Sequence, residues 1–162
     1  MCKSSFDAII QADCRMLILG SLPGDVSLHA GHYYAHPRNA FWPIMSKLLQ
    51  LDLCAMPFEL RYSALQANGI GLWDVVAQAQ RKGSLDTAIS QATINPLAQR
   101  CAALTQLKLI AFNGKTAAKL GSKQIPKYIN QVVLPSSSPA HTLKIEQKFS
   151  DWQSALSPHL AT

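Results

Sequence analysis

The stretch GHYYAHPRNAFW, residues 31–42, sets four aromatics, two histidines, a proline, an arginine and an asparagine in twelve positions. A core strand would carry valine and isoleucine there, and a solvated loop would not carry two Tyr, a Phe and a Trp. Aromatic rings beside an electropositive groove stack nucleic-acid bases. Tyr33, Tyr34, Phe41 and Trp42 cannot all do so. Phe41 and Trp42 are expected in the core, while Tyr34, ahead of the helix that follows, is free to face a pocket. Asn39 suits the N-cap of that helix, and His36 is expected to be a hydrogen-bonded structural residue.

Two further loops carry polar chemistry. GSLPG (20–24) is a tight turn whose backbone N–H groups can approach a ligand; it is neither a Walker loop nor G-x-G-x-x-G. LPSSSPAH (134–141) follows an apolar run and presents three hydroxyls and backbone amides held by proline, groups that grip phosphate oxygens. Asp74, in GLWDVV, is a carboxylate at the end of another apolar run, with a turn-capping role as the alternative. The cysteines at 2, 14, 54 and 101 form no C-x-x-C and have no zinc-like His spacing. Reduced, mostly buried thiols are expected, with no metal and no cofactor.

Buried strands and helices must position these residues. RMLILG (15–20) reads as a strand buried on both faces, IGLWDVV (70–76) as strand-like, LKLIAFNG (107–114) as another buried strand and QVVLP (131–135) as a fourth apolar strand. Helices are expected over 39–51, where Phe41, Met45, Leu48 and Leu49 share a face, and over 57–67, ended by Asn68-Gly69. Further helices are expected over 95–107, 115–121 and 142–156. Residues 78–89 turn polar. Strands alternating with helices imply a parallel sheet covered on both sides, with ligands bound beyond the carboxyl ends of the strands. The four strand exits should therefore lie along one edge.

The chain, at 162 residues and 48% hydrophobic, suits a single domain over 1–162 with a well-filled core. No apolar run approaches the roughly 20 residues of a membrane span. Asp7 and Asp13 fall where a signal peptide would be apolar, so a cytoplasmic location is expected. Residues 1–80 carry 5 Lys/Arg against 6 Asp/Glu, a net −1; residues 81–162 carry 10 against 3, a net +7. That asymmetry favours a polyanionic partner over a merely basic surface only when taken with the motifs.

Taken in order, GSLPG, GHYYAHPRNAFWPIM, GIGLWDVV, RKGSLDTAI, IAFNGKTAAK and LPSSSPAH resemble the uracil-DNA glycosylase superfamily over residues 16 to about 145. The WDV and S-x-SPAH forms are most similar to its hypoxanthine-DNA (deoxyinosine) branch. The resemblance implies a three-layer α/β/α sandwich on a mainly parallel four-stranded sheet. It implies Asn39 as the catalytic residue, Tyr34, Asp74, Leu22 and Ser27 around the base, and Ser21, Ser136, Ser137, Ser138, Ala140 and His141 on the DNA. The sequence departs from the family at Leu22, where the first motif holds Asp or Asn, at Ala40, commonly Arg, and at Ala140, the place of an inserting leucine.

On that resemblance the expected activity is hydrolysis of the N-glycosidic bond of a flipped deaminated base in double-stranded DNA. The base would be hypoxanthine, or alternatively uracil or a G/U mismatch, and the enzyme a monomer that leaves an abasic site. Asn39, an amide, cannot act as a general base, but its carbonyl oxygen can position water. Ionised Asp74 would accept from N1–H of hypoxanthine or N3–H of uracil. The losses at Leu22 and Ala40 also suit a non-catalytic DNA-binding module. A serine hydrolase built on Ser137 and His141 lacks the G-x-S-x-G elbow.

Overall fold

The structure, a computed structural model, describes residues 2–160. Four parallel strands form the central sheet: β2 (Met16–Gly20), β3 (Ile70–Asp74), β6 (Leu109–Asn113) and β7 (Asn130–Leu134), in the order β3-β2-β6-β7. Period-two alternation in these runs sends neighbouring side chains to opposite faces. Met16, Ile18, Ile70, Leu72, Leu109 and Ala111 face one core, whose other wall is α2 (Phe41–Leu49), α3 (Phe58–Ala67) and α6 (Ile145–Leu160). Leu17, Leu19, Trp73, Ile110 and Phe112 face a second core, closed by α4 (Leu97–Ala103) and α5 (Lys115–Gly121). The result is the expected three-layer α/β/α sandwich.

The sheet was legible because both faces of each inner strand are apolar. Several boundaries differ. The run 70–76 is not one strand: it leaves the parallel sheet after Asp74, and Val76–Gln80 (β4) joins an antiparallel sheet with β1 (Cys2–Ser4) and β5 (Ser90–Ile94). This second sheet falls in polar sequence, and its outer strand β5 is largely exposed, so it lacks the apolar pattern that marks the others. A short helix, α1 (Asp25–Ala30), follows the first loop and ends on Gly31 at φ 76°. The helix expected over 95–107 is only seven residues long, and that expected over 142–156 starts three residues later and continues to Leu160. Cys14 and Cys101 are buried, but Cys2 and Cys54 are exposed, so only half of the thiols are covered, not most of them; all four are free.

Chain order fixes where a ligand can sit. The path goes from β2 outward to β3, then crosses to the opposite side of β2 to form β6. The crevice at such a reversal opens beyond the carboxyl ends of the two strands that flank it. Here those ends are Gly20 and Asn113, with Asp74 in register beside Gly20 and Leu134 beside Asn113. The four exits share one edge, as expected.

Candidate active site

A cavity of about 320 Å³ opens on that edge, lined by the strand ends Asp74 and Asn113 and by the segments that follow β2, β4 and β7. Gly20 is its hinge point. A Cβ there would stand 2.6 Å from Asp74 Oδ1 and 2.9 Å from the Tyr34 hydroxyl, closer than real contacts allow. Only glycine lets the two polar groups crowd the same backbone position. Asp74 Oδ2 and the Tyr34 hydroxyl are both buried and, among the described residues, have no hydrogen-bond partner. A buried polar atom left unpaired is costly, so two together at the strand end of one cavity require an explanation.

Tyr34 is held in place from both sides. Its φ of 55° lies in the left-handed region, which costs a non-glycine residue on the order of 1 kcal/mol or more. Ser27 Oγ accepts from Ala35 N–H at 2.9 Å, Trp42 Nε1–H donates to the Tyr33 carbonyl at 3.0 Å, and Tyr33 N–H donates to Tyr62 Oη at 2.9 Å. One face of the Tyr34 ring stacks on Phe41, with centroids 4.2 Å apart. Burial, then the nearby Asp74 charge, pushes its hydroxyl pKa far up, against the opposing pull of the Asn113 side chain, which lies close by but outside hydrogen-bonding geometry; the hydroxyl is a neutral donor.

Asp74 is 3% exposed, and its carbonyl is fixed by the Asn95 amide at 2.7 Å. Burial, and then the charge of Asp86, pushes its pKa up to about 7, against the attraction of Arg81. Near neutrality the carboxyl therefore changes charge. Its folded pKa lies above its ordinary value of 3.8, so the folded state holds this proton more tightly, and stability falls as pH rises from about 4 to about 7. An asparagine carries no such penalty. Asp74→Asn is expected to gain melting temperature over wild type at pH 8 and to lose that advantage at pH 5, as thermal denaturation in two buffers will read.

The first loop is clasped from below. Arg81, 1% exposed, donates to the carbonyls of Leu22, Pro23 and Gly83. Ser21 Oγ–H donates to Asp86 Oδ1 at 2.7 Å, and Ser84 Oγ accepts from Asp25 N–H at 2.8 Å. The loop after β7 is tied differently. Asn113 Nδ2–H donates to Ser137 Oγ and Ser137 N–H donates to Asn113 Oδ1, both at 2.9 Å. Beneath it, Lys148 Nζ, buried at 4%, donates to the Ser138 carbonyl, and Trp152 Nε1–H donates to that of Pro135.

The family model described as uracil DNA glycosylase superfamily matches residues 8–158. The chain belongs to the uracil DNA glycosylase superfamily. It is thus a DNA glycosylase, a hydrolase of N-glycosyl bonds whose partner is DNA. Hypoxanthine DNA glycosylase from Methanosarcina barkeri is 36% identical, over 96% of this chain and 98% of the relative. The protein of that name from Methanosarcina acetivorans is 35% identical over 94% and 97%. A solution NMR structure of a proposed uracil DNA glycosylase from Methanosarcina acetivorans superposes with a TM-score of 0.87 at 34% identity, covering 99% of both chains.

Within this glycosylase, Tyr34, Asp74, Leu22, Ser27, Ser21, Asn39, Ala140 and all three loop serines line the one cavity. His141 does not: it is exposed and lines a neighbouring cavity of about 610 Å³ on the far side of the serine loop. Ser137, expected as a phosphate contact, is 1% exposed and spends its Oγ and N–H on Asn113, joining two strand exits. Ser21 is 6% exposed and is likewise committed, to Asp86. Ser136 and Ser138 accept backbone N–H bonds from Ser138 and Ala140, which leaves each hydroxyl proton free to donate. Leu22 packs with Val76 and Ala79.

Asn39 was expected at the N-cap of α2, but the N-cap is Ala40, and Asn39 stands one residue ahead of it. Its Oδ1 accepts from Phe41 N–H at 3.0 Å at the start of α2, and the residue also faces the cavity. His36 is hydrogen-bonded as expected, its Nδ1 accepting from Arg38 N–H. Phe41 and Trp42 are core, also as expected. Arg81, Asp86, Asn113, Lys148 and Gly20 escaped the sequence reading. The signal for the first two was a charge pair five residues apart in an otherwise polar stretch, which normally means a solvated face.

Proposed function

We propose that this glycosylase releases hypoxanthine from double-stranded DNA, acting as a monomer. The carrying observation is the pair of unpartnered buried atoms, Asp74 Oδ2 and the Tyr34 hydroxyl, crowded over Gly20. One is an acceptor when ionised and the other is a neutral donor. The N1–H and C6=O of hypoxanthine form an adjacent donor and acceptor, and would satisfy both at once. Adenine, whose N1 is an acceptor, would set that lone pair against the ionised Asp74 carboxylate, although the Tyr34 hydroxyl could turn to accept from its amino group. The names of the two Methanosarcina relatives agree with this substrate.

Access to the pocket requires extrusion of the nucleotide, at a cost of a few kcal/mol that is smaller at a poorly paired base. The free hydroxyl protons of Ser136 and Ser138 would hold the backbone phosphates. As the glycosidic bond breaks, the sugar gains oxocarbenium character and the base leaves as an anion. The Tyr34 hydroxyl, donating to O6, stabilises charge on the leaving base. Asn39 holds water near the anomeric carbon through the lone pair of Oδ1 that Phe41 N–H does not use. With no carboxylate at position 22, water is oriented rather than deprotonated, and slower chemistry is expected than with a carboxylate base.

Incubating the protein with labelled duplexes carrying inosine, uracil or xanthine, then cleaving abasic sites with alkali, tests the reading. Cleavage at inosine is the expected result; binding without cleavage at any of the three would return the protein to the DNA-binding modules. The same duplexes measure the electrostatic share of binding. With 10 Lys/Arg against 3 Asp/Glu in residues 81–162, log K should fall steeply with log salt. A slope near zero would remove the duplex as partner.

A further inference from the structure

Extrusion of a nucleotide leaves a gap in the base stack, and apolar side chains pushed between base steps fill such gaps. Ala140, at the place of the inserting leucine, is too small to do so. We infer that Leu85, which lines the same two cavities as Ala140, is the wedge that enters the duplex. This inference rests on the glycosylase reading of the same cavity. Leu85 is 56% exposed, and it lines both the cavity of the candidate active site and the neighbouring one, as does Ala140. An exposed leucine alone is unremarked on any surface. What sets Leu85 apart is how its backbone is held.

The residues on either side of it are both anchored to the first loop, Ser84 through Asp25 N–H at 2.8 Å and Asp86 through Ser21 Oγ–H at 2.7 Å. The Leu85 carbonyl accepts from Ala88 N–H at 3.0 Å, opening the short 3-10 turn Asp86–Ala88. Two residues earlier, the Gly83 carbonyl is gripped by Arg81 Nε–H at 2.7 Å and by Lys3. A solvent-facing apolar side chain is thus carried on a pinned segment at the rim of the pocket that would receive the base. A wedge needs that combination, because a side chain that must displace a base cannot yield when the stack pushes back. The same clasps keep Leu85 at a constant distance from the first loop, so insertion and pocket entry are one movement.

The test compares Leu85→Ala and Leu85→Met with wild type, on inosine paired with cytosine in a duplex and on the same inosine in a short unpaired bubble. Single-turnover release from the duplex should fall about tenfold to a hundredfold in Leu85→Ala, the equivalent of burying one leucine side chain. Release from the bubble should be unchanged, and Leu85→Met should retain duplex activity. Equal rates for wild type and Leu85→Ala on the duplex, or an equal loss on both substrates, would overturn the assignment. A 2-aminopurine placed beside the inosine reads insertion without chemistry: its fluorescence should rise on binding wild type and not on binding Leu85→Ala. If wild type releases no base yet shows that rise, the hydrolytic reading fails while the wedge stands; no rise with either protein removes the wedge.

Discussion

Replacing Asn39 with alanine is expected to lower single-turnover base release by about a hundredfold to a thousandfold, the loss typical when one oriented polar group is removed from a catalytic site. Lesion-DNA affinity should be nearly unchanged, because Tyr34, Asp74 and the serine loop remain. The side chain also holds Phe41 N–H at 3.0 Å, so the variant should lose roughly 1 kcal/mol of stability with that hydrogen bond at the start of α2. The two effects are separable: melting reports the hydrogen bond and turnover reports the chemistry. A variant that melts lower but turns over like wild type would confine Asn39 to the start of α2.

The size of that expected loss follows from what else the pocket contains. Leu22 and Ala40 offer no polar side chain, and Ala40 is buried with its N–H committed to the Ser137 carbonyl at 2.9 Å. Asp25, Asp74 and Asp86 are the carboxylates that line the cavity, and Asp25 is paired with Lys3. Asp86 is engaged by Ser21, and its pKa is raised by burial against that hydrogen bond and the Arg81 charge. Asp74 is coupled to the base-reading end. Beside α2 the cavity is lined by His36 and Asn39, and Asn39, at the start of the helix, is the side chain whose loss is expected to cost most.

The parallel sheet was legible in the sequence because Leu17, Ile18 and Leu19, like Ile110, Ala111 and Phe112, are apolar on both faces, a pattern only a covered strand shows. The ligand edge followed from strand order alone. The antiparallel sheet was not legible, since VAQAQ and SQATI are half polar and their pairing is made with the distant residues 2–4. The site was legible in its aromatic and amide parts, which are unusual residue types for a loop. It was not legible where ordinary residues act through long-range contacts. Arg81 reads as a solvated cation until the Leu22 and Pro23 carbonyls close over it. Gly20 reads as a strand stop until two polar tips from residues 14 and 54 positions away converge on it. Ser137 reads as a phosphate contact until Asn113 claims it.

The claim that Asp74 and the Tyr34 hydroxyl read the base is tested most directly by Asp74→Asn. With O6 of hypoxanthine taken by Tyr34, the new NH₂ group would meet C2–H and find no acceptor, while the charged partner of N1–H is lost. Uracil has a carbonyl on both sides of N3–H, so the same NH₂ would find a second oxygen there. The measurement is the ratio of single-turnover rates on inosine and uracil duplexes, wild type against variant, at pH 8, where the wild-type carboxyl with its pKa of about 7 is mostly ionised. One hydrogen bond of this kind discriminates by on the order of 1–3 kcal/mol, about tenfold to a hundredfold. The account predicts that the inosine-to-uracil ratio falls by that factor. An unchanged ratio, with both rates intact, would contradict it and leave Asp74 as a structural residue at the end of β3.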